Sequence, residues 1–426
     1  MGDAKPEASP ERLEVVLVSP LSDQRGGAEL SLMHLVTGGN GYGVNWSLAV
    51  PGEGDLSAAA RSAGASVHLT GGVRLRRPLG YASAVRGLSR FVRSHRASLV
   101  LSWLPHAHYW SLPAAALAGA SAAWFQKDQV KPEKLNNRLT ARLPRRGILA
   151  NSVFTAELQG QLSPSAAIDV VPSAVELDRF APDHLGTPEA CRGRLGLPAE
   201  GPLVGMVGRL QEWKGFGTAL RALGQVRAEV PDAKLVLIGG PHTSEPEYPE
   251  ELRRLAASEG LSGAVVFVGE VEHDLVPQYM QACDVLVHAS RAEPFGVVVI
   301  EAMALGKPLV ASAEGGPATT VREGVDGLLA GYGDSAALAA AVTRLLRGGA
   351  EVERMSVSAR QRARGFSVDV FRRRMADAVG RVLGPRRSPG IYVDGQAWSV
   401  DETGVGMTDK VSADADEIGR CELNAR

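Results

Sequence analysis

Short β-branched and aliphatic runs alternate with longer Ala- and Leu-rich runs along most of the chain. Leu13–Val18, Trp46–Val50, Val67–Leu69, Leu99–Trp103, Ala122–Phe125, Gly147–Ala150 and Ile168–Val171 are mostly continuous apolar runs rather than alternating ones. That pattern predicts parallel strands with helices on both faces, because a strand covered on both sides has no polar face to show. Tyr81–Arg96 and Asn151–Gln161 predict helices between them. Trp110–Phe125 is the longest weakly polar stretch. It holds Pro113, falls short of the ~20 residues a membrane span needs, and predicts a buried helix followed by a strand.

The pattern then restarts. Leu203–Val207, Ala233–Ile238, Val265–Val268, Val285–Ala289, Pro308–Ala311 and Gly327–Ala330 predict a second set of strands. Lys214–Glu229, Pro249–Ser258, Leu275–Gln281, Gly296–Leu305 and Ala336–Leu346 predict its helices. Between the two sets, Val175–Pro202 carries Pro182, Gly186, Pro188, Gly196, Pro198 and Gly201, punctuation that marks a boundary. The expected architecture is α/β, with two doubly wound Rossmann-like domains, 12–185 and 186–384, facing each other across a cleft. Residues 1–11 read as disordered. Residues 385–426 read as a tail, loosely ordered or wrapped on the surface, with a strand pattern only at Gly390–Val393.

Composition narrows this picture without redirecting it. The 426 residues include 45% apolar and 22% charged residues, which excludes wholesale disorder, collagen-like repeats and a disulfide scaffold. Cys191, Cys283 and Cys421 lie far apart with no CxxC, as expected of a reducing compartment. The polar start MGDAKPEASPERLE lacks the apolar segment of a signal peptide. A cytoplasmic location is therefore expected.

Three loops carry candidate chemistry. Glu293-Pro294-Phe295-Gly296-Val297-Val298-Val299-Ile300-Glu301 follows a predicted strand and opens a predicted helix. The first amides of a helix have no internal partner, and its dipole favours an anion there. Glu301, eight residues after Glu293, can face the same ligand, and carboxylates make short hydrogen bonds to sugar hydroxyls. On spacing alone, Glu293 could equally cap the helix and Glu301 be a solvated helix residue. In the second loop, Gly208-Arg209-Leu210-Gln211-Glu212-Trp213-Lys214-Gly215 places two cations five apart, within reach of a diphosphate or simply on the surface. The third, Ser22–Glu29, sets Gly26-Gly27 between a strand and a helix, either a phosphate or sugar cradle or a plain turn. It is not GxGxxG, so no nicotinamide site is supported.

In this order the motifs resemble the family 4 retaining glycosyltransferases of the GT-B fold, over about Glu14 to Val382. The resemblance rests on EPFGVVVIEAMALGKP at Glu293–Pro308, GRLQEWKG at Gly208–Gly215 and VPSAVELDRF at Val171–Phe180. It implies a retaining, metal-independent transfer of a hexosyl or N-acetylhexosaminyl group from a nucleotide-diphosphate sugar to a hydroxyl acceptor. The acceptor would be an envelope glycolipid or polysaccharide precursor, or a secondary metabolite. Arg209 and Lys214 would hold the diphosphate, and Glu301 the ribose. Glu293 would bind donor-sugar hydroxyls, helped by the amides of Phe295, Gly296 and Val297. Gly208, Gly240 and Val271 would border the donor, while Gly26 and Gly27 would approach its phosphate or the acceptor. His106, in Ser102-Trp103-Leu104-Pro105-His106, matches the family's histidine near the transferred sugar.

The sequence departs from the family pattern at two places. The family often reads GGxxE after the next strand, whereas Gly315-Gly316-Pro317-Ala318 is followed here by Thr319. Ala289-Ser290 replaces the common Pro-Ser. Asp414-Ala415-Asp416 imitates a metal-binding DxD but sits in the acidic tail, and Gly404-Val405-Gly406 has no strand or helix pattern beside it. No metal or other cofactor is expected. Two alternatives stay open. One is a related sugar phosphorylase or nucleotide-sugar epimerase, the other a non-catalytic partner subunit, against which Arg209, Lys214, Glu293 and Glu301 argue.

The net charge of −1 hides an asymmetry. Residues 1–185 hold 19 cations against 15 acids, and the remainder holds 27 against 32. No acid lies between Asp55 and Asp128, while Arg74, Arg76, Arg77, Arg86, Arg90 and Arg93 all do. This is either a solvated helix face or a surface for anionic lipid, giving peripheral attachment at the inner face of a membrane. Near-neutrality overall argues against nucleic acid as a partner.

Overall fold

The computed structural model describes residues 12–23, 26–38, 41–74 and 76–398. The expectations for residues 1–11, for Gly404-Val405-Gly406, for Asp414-Ala415-Asp416 and for Cys421 lie outside the described residues. The chain divides into two compact units. The first holds the described residues up to Ser173 together with those from Asp369 onward, and the second runs from Ala174 to Val368.

In the first unit, β1 (Leu13–Val18), β2 (Val44–Val50), β3 (Val67–Leu69), β4 (Leu99–Trp103), β5 (Ser121–Gln126), β6 (Gly147–Ala150) and β7 (Ala167–Val170) are all parallel neighbours in one sheet. The second unit is built on β8 (Leu203–Val207), β9 (Lys234–Ile238), β10 (Val265–Gly269), β11 (Val285–Val287), β12 (Leu309–Ser312) and β13 (Leu328–Ala330), again all parallel. The first sheet closes with β14 (Gly390–Val393), which pairs parallel to β7, and β15 (Gln396–Ala397), which turns back antiparallel.

The apolar runs become strands because both sheet faces are covered. In the second unit Val204, Met206, Leu235 and Leu237 enter one core layer, while Leu203, Val236 and Ile238 enter the layer on the opposite face. The strand orders are β15-β14-β7-β6-β5-β4-β1-β2-β3 and β10-β9-β8-β11-β12-β13. Each order reverses once, between β1 and β4 and between β8 and β11. Crossovers leave in opposite directions there, opening a crevice at the carboxyl ends of the strands. All three candidate loops leave strands at these reversals: Gly26-Gly27 after β1, Gly208–Lys214 after β8, and Glu293–Val297 after β11.

The observed division differs from 12–185 and 186–384. Residues 174–185 lie with the second unit, and the helix Val368–Leu383 packs almost wholly within the first. The tail expected to begin at 385 is also ordered as far as it is described. Asp169, 1% exposed on β7, accepts from Arg381 Nε at 2.8 Å and from Arg387, and Arg374 Nε donates to Asp394 at 2.9 Å. These pairs bind the last helix and the β14 hairpin to the sheet edge. Val285–Ala289 is shorter than expected, because the chain leaves the sheet after Val287.

Candidate functional site

The second unit brings Lys214 and Glu293 together from loops 79 residues apart. Gly215 makes this approach possible. Its φ of +81° suits glycine, and a Cβ there would lie 2.2 Å from the Ala289 carbonyl oxygen. The loop after β8 therefore lies flush on the loop after β11, and Arg291 N–H donates to the Trp213 carbonyl at 2.7 Å. Lys214 Nζ, 4.2 Å above the Trp213 ring, donates to Glu293 Oε2 at 2.5 Å. His288 Nε2 lies 3.4 Å from the same oxygen. Burial alone would raise the Glu293 carboxyl, but Lys214 beside it and the His288 ring close to the same oxygen hold it well below the ordinary carboxylate range. Glu293 is therefore an anion tied to a cation, not a helix cap.

The helix Val297–Leu305 begins at Gly296, whose φ of +85° turns the chain into its first turn. Phe295 is buried, its ring 6.0 Å from that of Phe366, so its side chain belongs to the core and only its backbone borders the loop. The Gly315-Gly316 pair supports this loop from below. Gly316 N–H donates to the Glu293 carbonyl at 2.8 Å, and a Cβ on Gly316 would lie 2.5 Å from Phe295 Cα. Thr319, where the family often has a carboxylate, turns its hydroxyl to the Gly316 carbonyl at 2.9 Å.

Glu301 is only 5% exposed, so it is not a solvated helix residue. Burial pushes its carboxyl up to about 7; Arg179 pulls against that and Glu176 adds to it. Arg179 itself bonds Glu176 and Asp274, each at 3.2 Å. Near neutrality Glu301 is thus poised between its two forms, and hydroxyl donors favour the ionised one. Arg209, exposed on the loop after β8, has no ion-pair partner among the described residues. Gly208 N–H donates to the Ile238 carbonyl at 2.9 Å and Leu210 N–H to the Gly240 carbonyl at 2.8 Å, so the loops after β8 and β9 run side by side. Val271, Val297 and Val298 are each partly buried against the same core layer.

In the first unit, Gly26-Gly27 opens the helix Gly27–Val36, and the Trp103 indole N–H fixes its first turn by donating to the Ala28 carbonyl at 2.8 Å. His106 is exposed on the turn after β4. Lys127, after β5, is 6% exposed and donates to Ser173 Oγ at 3.1 Å. Burial lowers its ammonium to about 7, against Glu29 and Asp128. Leu104 (φ +82°) precedes His106, and Ala292 (φ +48°) precedes Glu293. Non-glycine residues in that region cost about 1–3 kcal/mol each and cluster at sites of function.

Sequence reasoning passed over His288. It lies inside the predicted strand Val285–Ala289, and only the observed strand end at Val287 places it on the loop. Among the described residues no group of three or more His, Cys, Asp or Glu side chains is placed to hold a metal.

Residues 189–362 match the family model Glycosyl transferases group 1. A D-inositol 3-phosphate glycosyltransferase of Acidothermus cellulolyticus is 40% identical over 190 residues, 44% of this chain and 42% of that protein. The chain thus spans less than half the length of that relative. The Frankia alni protein of the same name is 33% identical over 307 residues, 66% of this chain and 74% of its own length. Among solved structures, Anabaena HepE in complex with UDP superposes with a TM-score of 0.75 at 24% identity, covering 87% of this chain and 100% of HepE. HepE has also been solved with UDP-glucose. At that identity the likeness speaks for the fold. The Frankia match reaches beyond the second unit to most of the relative, and with it the chain belongs to the group 1 glycosyltransferases, family 4 by sequence and GT-B by fold.

Proposed function

We propose that the chain transfers a hexosyl or N-acetylhexosaminyl group from a nucleotide-diphosphate sugar to a hydroxyl acceptor, with retention at the anomeric carbon. The observation that carries this reading is the Lys214–Glu293 pair at the β8/β11 reversal, with the buried Glu301 two helical turns beyond. Glu301 accepts from the ribose hydroxyls. Lys214 has three donors, so it can hold Glu293 and a phosphate oxygen together, and Arg209 adds a second cation. Gly208, Gly240 and Val271 border the nucleotide. Glu293 and the amides of Phe295, Gly296 and Val297 meet the sugar, while Gly26, Gly27 and His106 serve the transferred group and the acceptor. Charge develops on the leaving diphosphate, where Lys214 and Arg209 stabilise it, and that diphosphate helps deprotonate the incoming hydroxyl on the same face. The scheme needs no metal.

The HepE complexes favour a uridine diphosphate sugar as donor, and the names of the relatives favour a phosphorylated polyol as acceptor. UDP, GDP, ADP and TDP, each with and without glucose, form the direct test. The true nucleotide at about 100 times its Kd should raise Tm by about 5 °C or more. No shift with any of them overturns the proposal.

A membrane surface is the second proposed partner. Arg74, Arg76, Arg77, Arg86, Arg90 and Arg93 are all exposed, and none pairs with an acid among the described residues. Leu79, at the start of the helix Pro78–Ser94, is 87% exposed beside them. No helix among the described residues is long and apolar enough to cross a membrane. Each cation at an anionic surface contributes ~1 kcal/mol. The protein should therefore co-sediment with phosphatidylglycerol vesicles at low salt and be released at high salt. Replacing Arg86, Arg90 and Arg93 by Glu should abolish this. Equal binding to neutral vesicles would refute it.

A further inference from the structure

The two histidines that leave the reversal strands as buried side chains are held in different ways. His108 is fully buried and uses both ring nitrogens: Nδ1 lies 3.0 Å from Ser102 Oγ and Nε2 lies 3.0 Å from the Pro144 carbonyl. It is a bridge within its own frame. His288 is 5% exposed and uses one side of its ring only. Its Nε2 faces Glu293 Oε2 at 3.4 Å and Ser290 Oγ at 3.2 Å, while its buried Nδ1 has no hydrogen-bond partner among the described residues.

The chemistry of the pair fixes the proton. An ionised carboxylate only accepts, so Nε2 must carry the hydrogen for the ring to attract Glu293 Oε2. Lys214 Nζ donates to that same Oε2, whereas Oε1 has no partner among the described residues. A lysine on a flexible stem shifts when a phosphate approaches, but a ring clamped between strand and loop does not.

We infer that His288, in its Nε2–H form, is a positioning residue that holds Oε2 of Glu293 so that Oε1 is presented to a hydroxyl of the donor sugar. This rests on the nucleotide-sugar reading above. It predicts an effect on recognition of the sugar and none on the diphosphate.

The test is calorimetric titration of the full chain with UDP and UDP-glucose, and with the GDP, ADP and TDP pairs. The pair for which the wild type gains affinity from the sugar is then followed. His288→Leu, similar in size but without a donor, should lose about tenfold in affinity for the nucleotide sugar and stay within about twofold for the diphosphate. His288→Gln, which keeps an N–H at similar reach, should recover to within about threefold. If Leu at this position does not fold, His288→Asn, too short to reach Glu293, replaces it. Equal weakening for both ligands, an undiminished sugar gain in His288→Leu, or failure of Gln to rescue overturns the positioning role alone. If the wild type binds none of these ligands, the donor reading falls and this role falls with it.

Discussion

Lys214→Ala should lower kcat/KM by about 10²–10³-fold, the usual cost of removing one preorganised electrostatic contact at a developing charge. The structure adds a second expected effect. Lys214 and Glu293 are 18% and 13% exposed, so removing the ammonium leaves a nearly buried carboxylate with only His288 beside it. Breaking a buried pair typically destabilises by about 3–5 kcal/mol; residual exposure and His288 should bring the loss below that range. The pH dependence should move as well. In the wild type the stability from the Glu293 carboxylate is present at neutral pH and is lost progressively as pH falls from the ordinary carboxylate range toward the depressed value in the fold. Without Lys214 the carboxyl rises toward its ordinary value, so acid should remove less stability and that loss should be complete at a higher pH. Lys214→Arg keeps the charge but not the compact ammonium above the Trp213 ring, and should recover stability more fully than rate. Steady-state kinetics with an accepted nucleotide sugar, run beside thermal unfolding, separates the two effects. Near wild-type turnover in Lys214→Ala would remove the diphosphate role.

Glu301→Gln should make the free protein more stable while weakening it as a binder. The Glu301 carboxyl stands at about 7 in the fold against an ordinary 4.5. Between those values the folded state keeps a proton that the unfolded state has lost. The unfolding free energy therefore falls as pH rises through that window and levels off above it. The window corresponds to about 3 kcal/mol. Glutamine cannot ionise, so the variant should match the wild type near pH 4.5 and exceed it by up to ~3 kcal/mol at pH 8, as urea unfolding at the two values would show. Nucleotide diphosphate affinity should fall about 10- to 100-fold, because a neutral amide accepts ribose hydroxyls more weakly than a carboxylate. Equal stability of the two proteins at pH 8 would contradict the buried acid. Unchanged affinity would contradict the ribose role.

Much of the fold was legible because both sheets bury both faces. Leu13–Val18, Leu99–Trp103 and Leu203–Val207 are apolar enough to declare themselves, and their ends in the structure coincide with the apolar runs. The pairing of β14 with β7 was not legible. Gly390–Val393 has a strand pattern, but nothing local names a partner more than two hundred residues earlier. The return of the helix Val368–Leu383 to the first unit was hidden for the same reason. At the site, Glu293 and Glu301 were visible through their spacing and through Gly296. That Lys214 reaches Glu293 rather than standing free depends on Gly215 lying against Ala289, a contact between separate loops. His288 reads as one more residue of an apolar run until its ring is seen to face Glu293.

The β14 hairpin also bears on how the chain is made. Among the described residues the second unit is one continuous stretch, whereas the first is interrupted by it and completed only by residues from Asp369 onward. During synthesis, β7 emerges with an open edge, and Asp169 emerges without the two guanidinium groups that will neutralise it. At ordinary elongation rates the wait for Arg381 and Arg387 lasts roughly ten to forty seconds. The unit that starts first therefore finishes last, and through that interval an unsealed strand and an uncompensated acid are what a chaperone on the ribosome would meet.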